Sequence, residues 1–302
     1  MMAFAKSTSG VQLRGAMRTS EPLSRHTAWA IGGVADQFYE PADLDDLCSF
    51  VATLPPTESL FWLGLGSNVL IRDGGIRGTV VHLANALSRL ERSGQDTVRA
   101  EAGVACPKVA RFCAREDLAG AEFMAGIPGT VGGALAMNAG AFGGETYDIA
   151  VEVETVMRDG TRHRHDTSNF KTGYRQVDVP KGHWFVAAHL RLRPGIRRES
   201  EARIRTLLRQ RAQTQPTRTR NCGSVFRNPP NDHAARLIEQ CGLKGERIGD
   251  AQVSTKHANF IINTGNARAA DVEALIEHII TRVQIEHGVQ LIPEVRVVGE
   301  QL

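Results

Sequence analysis

Short apolar runs separated by turn residues fill the first two thirds of the chain, and their spacing predicts mostly strands. Alternating or fully apolar segments predict strands at residues 35–39, 60–63, 69–71, 79–83, 97–102 and 184–192. Helical spacing predicts helices at 44–53 and 107–116, the second with a proline in its first turn. A hairpin is expected at 151–157 and 161–165, around Asp159-Gly160. Many short strands with few helices between them indicate a mixed α+β domain as far as about residue 193.

The pattern changes after residues 194–198, which we interpret as a linker. Residues 199–213 predict an amphipathic helix, and its outer face, expected to be solvated, carries Arg203, Arg205, Arg209 and Arg211. We then expect a helix capped by Asp232 and closed by Gly242, a strand at 259–263, a long helix ending at Gly288 and a strand at 293–299. The predicted organisation is therefore a disordered start at 1–20, a first domain at 21–195 and a smaller second domain at 199–302.

Composition and charge argue against several classes of protein. A net charge of +3 over 302 residues is too small for the dense basic face of a protein that binds duplex DNA. No apolar run reaches the ~18 residues of a membrane span, and the first 18 residues lack the apolar core of a signal peptide. Five cysteines without a CxxC pair, and histidines without an HExxH motif, favour the reducing cytoplasm and predict neither a disulfide framework nor a metal site.

Two glycine-rich loops are the first candidates for ligand binding. Gly64-Leu65-Gly66-Ser67-Asn68 lies between two predicted strands and lacks the third glycine and the following helix of a Rossmann fingerprint. Residues 126–144 hold seven glycines in nineteen positions and no lysine or arginine. So much glycine is costly unless the backbone must approach something closely, and N–H groups can then neutralise a pyrophosphate. Either loop alone is equally well explained by a crowded turn, but together they favour a bound dinucleotide.

The ordered set of motifs resembles one family of flavoproteins. Gly64-Leu65-Gly66-Ser67-Asn68, Gly126-Ile127-Pro128-Gly129 and Asn138-Ala139-Gly140-Ala141-Phe142-Gly143 are similar to motifs of the UDP-N-acetylenolpyruvoylglucosamine reductases, and the likeness runs from about residue 27 to residue 296. The resemblance implies a FAD-binding domain of the vanillyl-alcohol-oxidase (PCMH) type, built of two α/β subdomains. A smaller C-terminal α/β substrate-binding domain follows, and its last strand returns to the active site.

The resemblance also implies a reaction and its cofactors. These are non-covalently bound FAD, NADPH as the electron donor and the UDP-sugar substrate UDP-N-acetylglucosamine enolpyruvate, which is reduced to UDP-N-acetylmuramate. The reaction belongs to the cytoplasmic synthesis of peptidoglycan, on which cell-wall growth, cell shape and cell division depend.

Three residues carry the chemistry by this resemblance. Arg175 would hold the substrate carboxylate and stabilise the negative charge that builds next to it when hydride adds to the vinyl methylene carbon. Ser224 would donate the proton that follows, and Glu294 would have to be protonated or paired with a cation to lie beside that charge. Flavin contacts are implied for Gly64, Gly66, Ser67, Asn68, Gly126, Gly129, Thr130, Gly132, Asn138 and Gly140. Substrate contacts are implied for Tyr174, Asn228, Gln252 and Lys256, the lysine as a partner of the UDP phosphates.

Two departures from the family and two other functions stay open. Val177 stands where the family often has a serine, and the chain looks like the compact form that lacks the loop closing over the substrate. One alternative is another flavin oxidoreductase of the same fold acting on an alcohol or hydroxy acid, although neither glycine loop holds a histidine for covalent attachment. The other is a nucleotide- or nucleic-acid-binding module, suggested by the isoelectric point of 8.7 and the arginine-rich helix. We expect a monomer without nucleic-acid or membrane partners.

Overall fold

The computed structural model describes residues 12–302, which form a mixed α+β fold. Residues 1–11, the first part of the predicted disordered start, lie outside the described residues. Up to residue 196 the elements are, in chain order, β1 (Ala16–Pro22), β2 (Val34–Glu40), α1 (Leu44–Thr53), β3 (Leu60–Leu63), β4 (Val69–Ile71), β5 (Ile76–His82), β6 (Leu90–Arg92), β7 (Thr97–Glu101), α2 (Cys106–Arg115), β8 (Leu118–Ala119), α3 (Val131–Met137), β9 (Gly140–Ala141), β10 (Gly144–Glu145), β11 (Ala150–Val156), β12 (Arg162–Asp166), β13 (Thr172–Gly173), β14 (Gln176–Val177), β15 (Trp184–Arg191) and β16 (Arg193–Pro194). They are followed by α4 (Arg197–Thr214), α5 (Ala234–Gln240), β17 (Arg247–Ile248), β18 (Ala251–Val253), β19 (Ile261–Asn263), α6 (Ala269–His287) and β20 (Arg296–Val298).

Two sheets form the body of the first part of the chain. One has the strand order β1-β2-β5-β3, with β1 antiparallel to β2 and the other neighbours parallel. The second is antiparallel, in the order β12-β11-β15-β7-β6. Val109 of α2 and Leu135 of α3 share a buried core with Val153 of the second sheet, so these two helices cover that sheet.

The second part of the chain packs α5 and α6 with the small sheet β17-β18-β19. Val272, Leu275 and Ile279 give α6 its buried face. Trp29, from the first part, is fully buried in this second core, and its indole N–H donates to the carbonyl of Ile261 (2.8 Å). The segment around Trp29 therefore anchors the two parts to each other.

The C-terminal strand returns to the first part of the chain. β20 runs parallel to β4, with Arg296 opposite Val69 and Val298 opposite Ile71. Because β4 directly follows the first glycine loop, this pairing brings the residues before β20 to that loop. Among the described residues, no helix is long and apolar enough to cross a membrane.

Several predicted elements are confirmed at their predicted bounds, because their ends carry clear signals. The bounds of α1, β3 and β4 coincide with the prediction. Asp43 caps α1 by accepting the N–H of Asp46 (2.9 Å), and two prolines follow the helix. Gly288 ends α6 as predicted, in the left-handed conformation with φ +68°.

Other elements differ from the prediction. β1 lies partly within the stretch expected to be disordered, and for residues 16–20 that expectation is wrong. Its side chains are mostly exposed, so pairing along β2 rather than burial holds it. A helix, α3, interrupts the second glycine stretch, where none was predicted. Asp232 does not cap α5: its carboxylate accepts the N–H of His233, and the N–H of Ala234 is taken by the side chain of Asn228 (3.1 Å).

The helix α4 also departs from the predicted arrangement. Ile204 of α4 packs into the core of the first part, although the helix was predicted to begin the second domain. The domain boundary at 195–199 stays a prediction. Arg203, Arg205 and Arg209 are exposed as expected, but Arg211 is half-buried. The prediction of a solvated position is therefore wrong for Arg211. Since Ile204, Leu207 and Arg211 are spaced by three and four residues, they lie on one face of the helix.

Candidate active site

Ser224 and Glu294 lie on two neighbouring segments of the second part. The carbonyl of Val225 accepts the N–H of Glu294 (2.7 Å), and the N–H of Arg227 donates to the carbonyl of Ile292 (2.9 Å). This pairing places the residue after Ser224 directly opposite Glu294. The fold therefore brings together two residues that are far apart in sequence.

The first glycine loop is held against the same segment. The side-chain amide of Asn68 donates to the carbonyl of Glu294 (3.2 Å), and the carbonyl of Asn68 accepts the N–H of Arg296 (3.1 Å). The thiol of Cys222 contacts the carbonyls of Gly66 and Val69, both at 3.5 Å. The loop preceding Ser224 thus packs on the backbone of the first glycine loop.

Arg175 reaches this junction from the tip of the hairpin formed by β13 and β14. Its Nε donates to Glu294 Oε1 (2.9 Å), Nη1 to the carbonyl of Asn138 (3.3 Å) and Nη2 to the carbonyl of Gly140 (3.1 Å). The residue has φ +56°, a left-handed conformation that costs a non-glycine residue roughly 1–2 kcal/mol. A guanidinium has five N–H donors, so two remain for a ligand.

The pair formed by Arg175 and Glu294 is shielded from water, with side-chain exposures of 16% and 11%. Burial raises the pKa of Glu294, while Arg175 and, more weakly, Arg227 act to lower it; the net shift is upward. The carboxylate of Glu294 therefore has the cationic partner that the sequence required of it. It also takes up a proton more readily than an exposed glutamate does.

The two glycine loops contact each other. A Cβ added at Gly129 would lie 3.3 Å from Ser67 Oγ, and one added at Gly64 would lie 2.5 Å from Thr130 Oγ1. Thr130 caps α3, since its hydroxyl accepts the N–H of Gly133 (3.4 Å). Side chains here would fill the gap between the loops, so the glycines keep their two backbones close.

Other predicted cradle residues are explained by contacts within the chain. At Gly66, with φ +59°, a Cβ would lie 2.2 Å from the carbonyl of His26, and at Gly140 it would lie 2.5 Å from that of Gly144. Added Cβ atoms at Gly126 and Gly132 would likewise meet Phe142 and Ala102. Asn138 is buried with φ +47°, and its amide donates to Glu145 (2.7 Å). The backbone at the four glycines therefore lies close to other parts of the protein itself, and this contact explains why glycine is needed there.

A cavity of about 290 Å³ opens between the glycine loops and the second part of the chain. Ser67 and Pro128 line it from the loops, and Arg211, Thr219 and Asn221 line it from the other side. Among the described residues that line it, arginine supplies the charge and no carboxylate is present. The cavity therefore suits an anionic group.

The residues predicted to contact the substrate have varied surroundings. Tyr174 is 49% exposed, and its ring lies 5.0 Å from the guanidinium carbon of Arg175. Asn228 accepts the N–H of Ala234 at the start of α5 (3.1 Å). Gln252 donates to the carbonyl of Gly245 (3.1 Å), and the ammonium of Lys256 donates to the carbonyl of Ala212 (2.5 Å). The structure gives the last three residues partners within the chain, and their contacts with the substrate stay predictions.

Two basic residues near the site were missed by the sequence reasoning. Arg227 acts on the pKa of Glu294, and its Nε is buried with no hydrogen-bond partner among the described residues. Its position three residues after Ser224, within the same motif, was the available signal. Arg211 was assigned to the wrong face of its helix, although its spacing from Ile204 and Leu207 indicates the buried one.

Comparisons with known proteins match both parts of the chain. A FAD binding domain model matches residues 35–166, and the model of the C-terminal domain of UDP-N-acetylenolpyruvoylglucosamine reductase matches residues 215–298. The UDP-N-acetylenolpyruvoylglucosamine reductase of Methylococcus capsulatus is 59% identical over 287 residues, covering 95% of this chain and 94% of its own. That of Alkalilimnicola ehrlichii is 57% identical over 286 residues, covering 95% and 96%. The crystal structure of the enzyme from Thermus caldophilus has a TM-score of 0.80 at 34% identity, covering 94% of this chain and 98% of that chain.

Proposed function

Because the chain belongs to the UDP-N-acetylenolpyruvoylglucosamine reductase family, we propose that Arg175, Ser224 and Glu294 are the residues that act on its substrate. The chain is an oxidoreductase of peptidoglycan synthesis, which uses FAD and NADPH to reduce UDP-N-acetylglucosamine enolpyruvate. The family resemblance drawn from the motifs is thereby confirmed, as is the fold of a FAD-binding domain joined to a C-terminal domain. The observation that carries the assignment of residues is the shielded pair of Arg175 and Glu294 beside the loop of Ser224.

The residues at the loop junction fit a dinucleotide. The gap between Gly129 and Ser67 would be filled by side chains larger than glycine, and the cavity beside it has a cationic lining. Its volume lies near the lower end of the roughly 300–1,000 Å³ of small-molecule pockets, so it suits one portion of the cofactor, such as the diphosphate. Bound FAD supplies the transfer of hydride from NADPH to the enolpyruvyl double bond.

The residues of the protein stabilise the charge that develops on the substrate and supply the proton. Hydride addition to the methylene carbon leaves negative charge on the carbon that bears the carboxylate. The two free donors of Arg175 bind that carboxylate, and the arginine charge stabilises the enolate-like product of the addition. Ser224 donates its hydroxyl proton to the charged carbon, which completes the saturated lactyl group; the serine is reprotonated from solvent. Glu294 orients Arg175 through Nε.

The test separates the two halves of the reaction in the variant Ser224→Ala. Bleaching of the flavin by NADPH delivers no proton to a substrate carbon, so stopped-flow measurements should show it near the parental rate. Reoxidation by the enolpyruvyl sugar should slow by roughly 10²–10⁴-fold, the contribution of a general acid. Ser224→Cys should recover part of the rate, and Ser168→Ala, at an exposed serine, should match the parent. Parental reoxidation in the alanine variant, or loss of the first half-reaction instead, would contradict the assignment.

We further propose that the chain works in the cytoplasm as a monomer, without nucleic-acid or membrane partners. All five cysteines are free, which suits a reducing compartment. The proposed catalytic residues Arg175, Ser224 and Glu294 lie close together within one chain. Sedimentation at the mass of one chain, 32.9 kDa, and no salt-dependent retention on RNA or DNA are the expected results. A stable dimer mass or steep salt-dependent retention would contradict them.

A further inference from the structure

Two helices of the second part of the chain end at the same place. α5 is followed by Cys241 as its C-terminal cap, and the last two residues of α6 are Glu286 and His287. The thiol sulfur of Cys241, a carboxylate oxygen of Glu286 and a ring nitrogen of His287 lie within 4.8 Å of one another. The cysteine is far from the other two residues in sequence, so the packing of α5 and α6 in one core brings these three groups together.

The three groups form a ligand set that suits zinc. Zn²⁺ binds thiolate sulfur at about 2.3 Å and imidazole nitrogen or carboxylate oxygen at about 2.0–2.2 Å, so the ligand atoms of a tetrahedral site lie roughly 3.5 Å apart. Separations of up to 4.8 Å therefore require side-chain rotations that bring the atoms closer by roughly 1 Å. Glu286 is exposed and has room for such a rotation. The sulfur ligand argues against Mg²⁺ and Ca²⁺, which prefer oxygen.

Arg282, one turn before the end of α6, holds the carboxylate of Glu286 without using both of its oxygens. Its Nε (3.0 Å) and its Nη2 both donate to Glu286 Oε1, and Nη2 also donates to the carbonyl of Cys241 (3.4 Å). These bonds leave Oε2 available to a cation, and carboxylates that bind metals are commonly oriented by such an outer hydrogen bond. The charge of the arginine opposes a cation, but a thiolate and a carboxylate together supply two negative charges, which outweigh it.

The chain alone does not satisfy all the polar atoms of this group. Nε2 of His287 is buried and has no hydrogen-bond partner among residues 12–302, and a buried polar atom without a partner costs free energy. Burial also raises the pKa of the Cys241 thiol, and the negative charge of Glu286 adds to this effect. A bound cation reverses that balance, because it favours the thiolate and gives a neutral imidazole a partner. The partial negative charge at the C-terminal end of α6 favours a cation there as well.

We propose that Cys241, Glu286 and His287 bind one Zn²⁺ ion, with water as the fourth ligand, and that the ion fastens the end of α5 to the end of α6. Binding replaces the thiol proton, which is released to solvent, and no group is oxidised or reduced. The three ligands belong to none of the sets assigned to the flavin or the substrate, so this site is independent of the proposed function. They form neither a CxxC nor an HExxH motif, which is why the sequence did not indicate a metal site.

The first test uses Co²⁺ as a probe for zinc in the flavin-loaded protein. Tetrahedral Co²⁺ with a thiolate ligand absorbs at longer wavelengths than oxidised flavin, and Zn²⁺ should displace it and abolish the bands. We expect the bands in the parent and in the control Cys48→Ser, at the partly exposed cysteine, but not in Cys241→Ser. The dissociation constant of zinc, measured by competition with a fluorescent chelator, should rise by roughly 100-fold or more in Cys241→Ser, since loss of an outer-shell partner alone costs about 10- to 100-fold.

The second test follows thermal unfolding. Zinc at about 100 times its dissociation constant should raise the unfolding midpoint of the parent by roughly 4 °C, because it binds only the folded chain. His287→Gln should lose this increase, whereas His278→Gln, at a half-buried histidine of the same helix, should keep it. The rates of flavin bleaching by NADPH and of reoxidation by the enolpyruvyl sugar should stay within about twofold of the parent in all four variants.

The outcomes that overturn the proposal are distinct from those that would contradict the proposed function. A parent protein without the cobalt bands, or bands that survive in Cys241→Ser, would overturn it. Equal zinc affinity in the parent and both ligand variants would do the same, and would place the ion elsewhere. The cluster of His163, His165 and His183, whose ring centroids lie 5.0–6.2 Å apart, is such a place, but it has no sulfur ligand. If Cys241→Ser does not fold, His287→Gln decides by the same two measurements.

Discussion

Replacing Arg175 by lysine tests whether the forked guanidinium, rather than its charge alone, binds the substrate carboxylate. The structure shows three of the five N–H donors used, by Glu294, by the carbonyl of Asn138 and by that of Gly140. A lysine ammonium has three donors at one point and cannot bridge these acceptors while also holding a carboxylate by two bonds. Both residues incur the same penalty at a positive φ, so the substitution should leave the fold unchanged.

The expected loss follows from the bonds. Going from two charge-assisted hydrogen bonds to one removes roughly 1.5–3 kcal/mol, and each 1.36 kcal/mol is a factor of ten. Reoxidation of the reduced flavin by the enolpyruvyl sugar should therefore slow by roughly 10- to 150-fold. The lysine also leaves the backbone carbonyl of Asn138 or that of Gly140 without a hydrogen-bond donor, which adds to the loss.

The assay is again stopped-flow, with the two half-reactions followed separately under anaerobic conditions. Flavin bleaching by NADPH should stay within about twofold of the parent, because Arg175 is assigned to the sugar substrate. Arg205→Lys, at an exposed position, serves as the control for the exchange itself. Equal reoxidation rates in Arg175→Lys and the parent would rule out Arg175 as the carboxylate clamp. Slower flavin bleaching with normal reoxidation would instead indicate that Arg175 acts on NADPH.

Two further predictions concern the loop junction and the buried carboxylate. Gly129→Val should purify without bound flavin, because its side chain would enter the gap to Ser67. The control Gly94→Val, in an open turn, should keep full flavin occupancy. Equal flavin absorbance per protein in the two variants would refute the assignment of Gly129 to the flavin site. Gly140→Val is unsuitable for this test, because its Cβ would strike the carbonyl of Gly144 and disturb the fold itself. For Glu294, burial raises the pKa above its ordinary 4.5, so the carboxyl binds a proton more readily in the folded chain than in the unfolded chain. Relative to Glu294→Gln, the parent should lose free energy of unfolding as pH rises from about 4.5 through that raised pKa, and a pH-independent difference in denaturant titrations would contradict the shift.

Local signals in the sequence were sufficient for much of the fold. The proline pair after α1 and the glycine after α6 mark helix ends by backbone geometry, which does not depend on the tertiary fold. The helix α3 was missed because two of its seven residues are glycine, which lowers helix propensity. Its formation depends on the cap from Thr130 and on burial of Val131 and Leu135, and these contacts exist only in the folded chain.

The site residues could be named from the sequence only through the family resemblance. Arg175 and Glu294 are 119 residues apart, and no periodicity relates a hairpin tip to the segment before a C-terminal strand. The physical requirement was nevertheless readable, because a glutamate beside a developing enolate needs a proton or a cation. For Arg211, the helical spacing from Ile204 and Leu207 indicated the buried face, but the residue was assigned to the exposed face.

In the proposed mechanism, the raised pKa of Glu294 can be related to the charge that develops on the substrate. With Glu294 ionised, Arg175 and Arg227 leave a net charge of +1, which matches the single negative charge of the substrate carboxylate. Hydride addition adds a second negative charge before Ser224 delivers its proton. If Glu294 then takes up a proton, the net charge of the protein residues becomes +2 and again equals the charge on the substrate in size. An ionised Glu294 would leave one negative charge of the substrate unbalanced in a poorly hydrated site. We propose that Glu294 orients Arg175 when it is ionised, and that its burial, which raises its pKa, makes uptake of a proton easier once the second negative charge forms on the substrate.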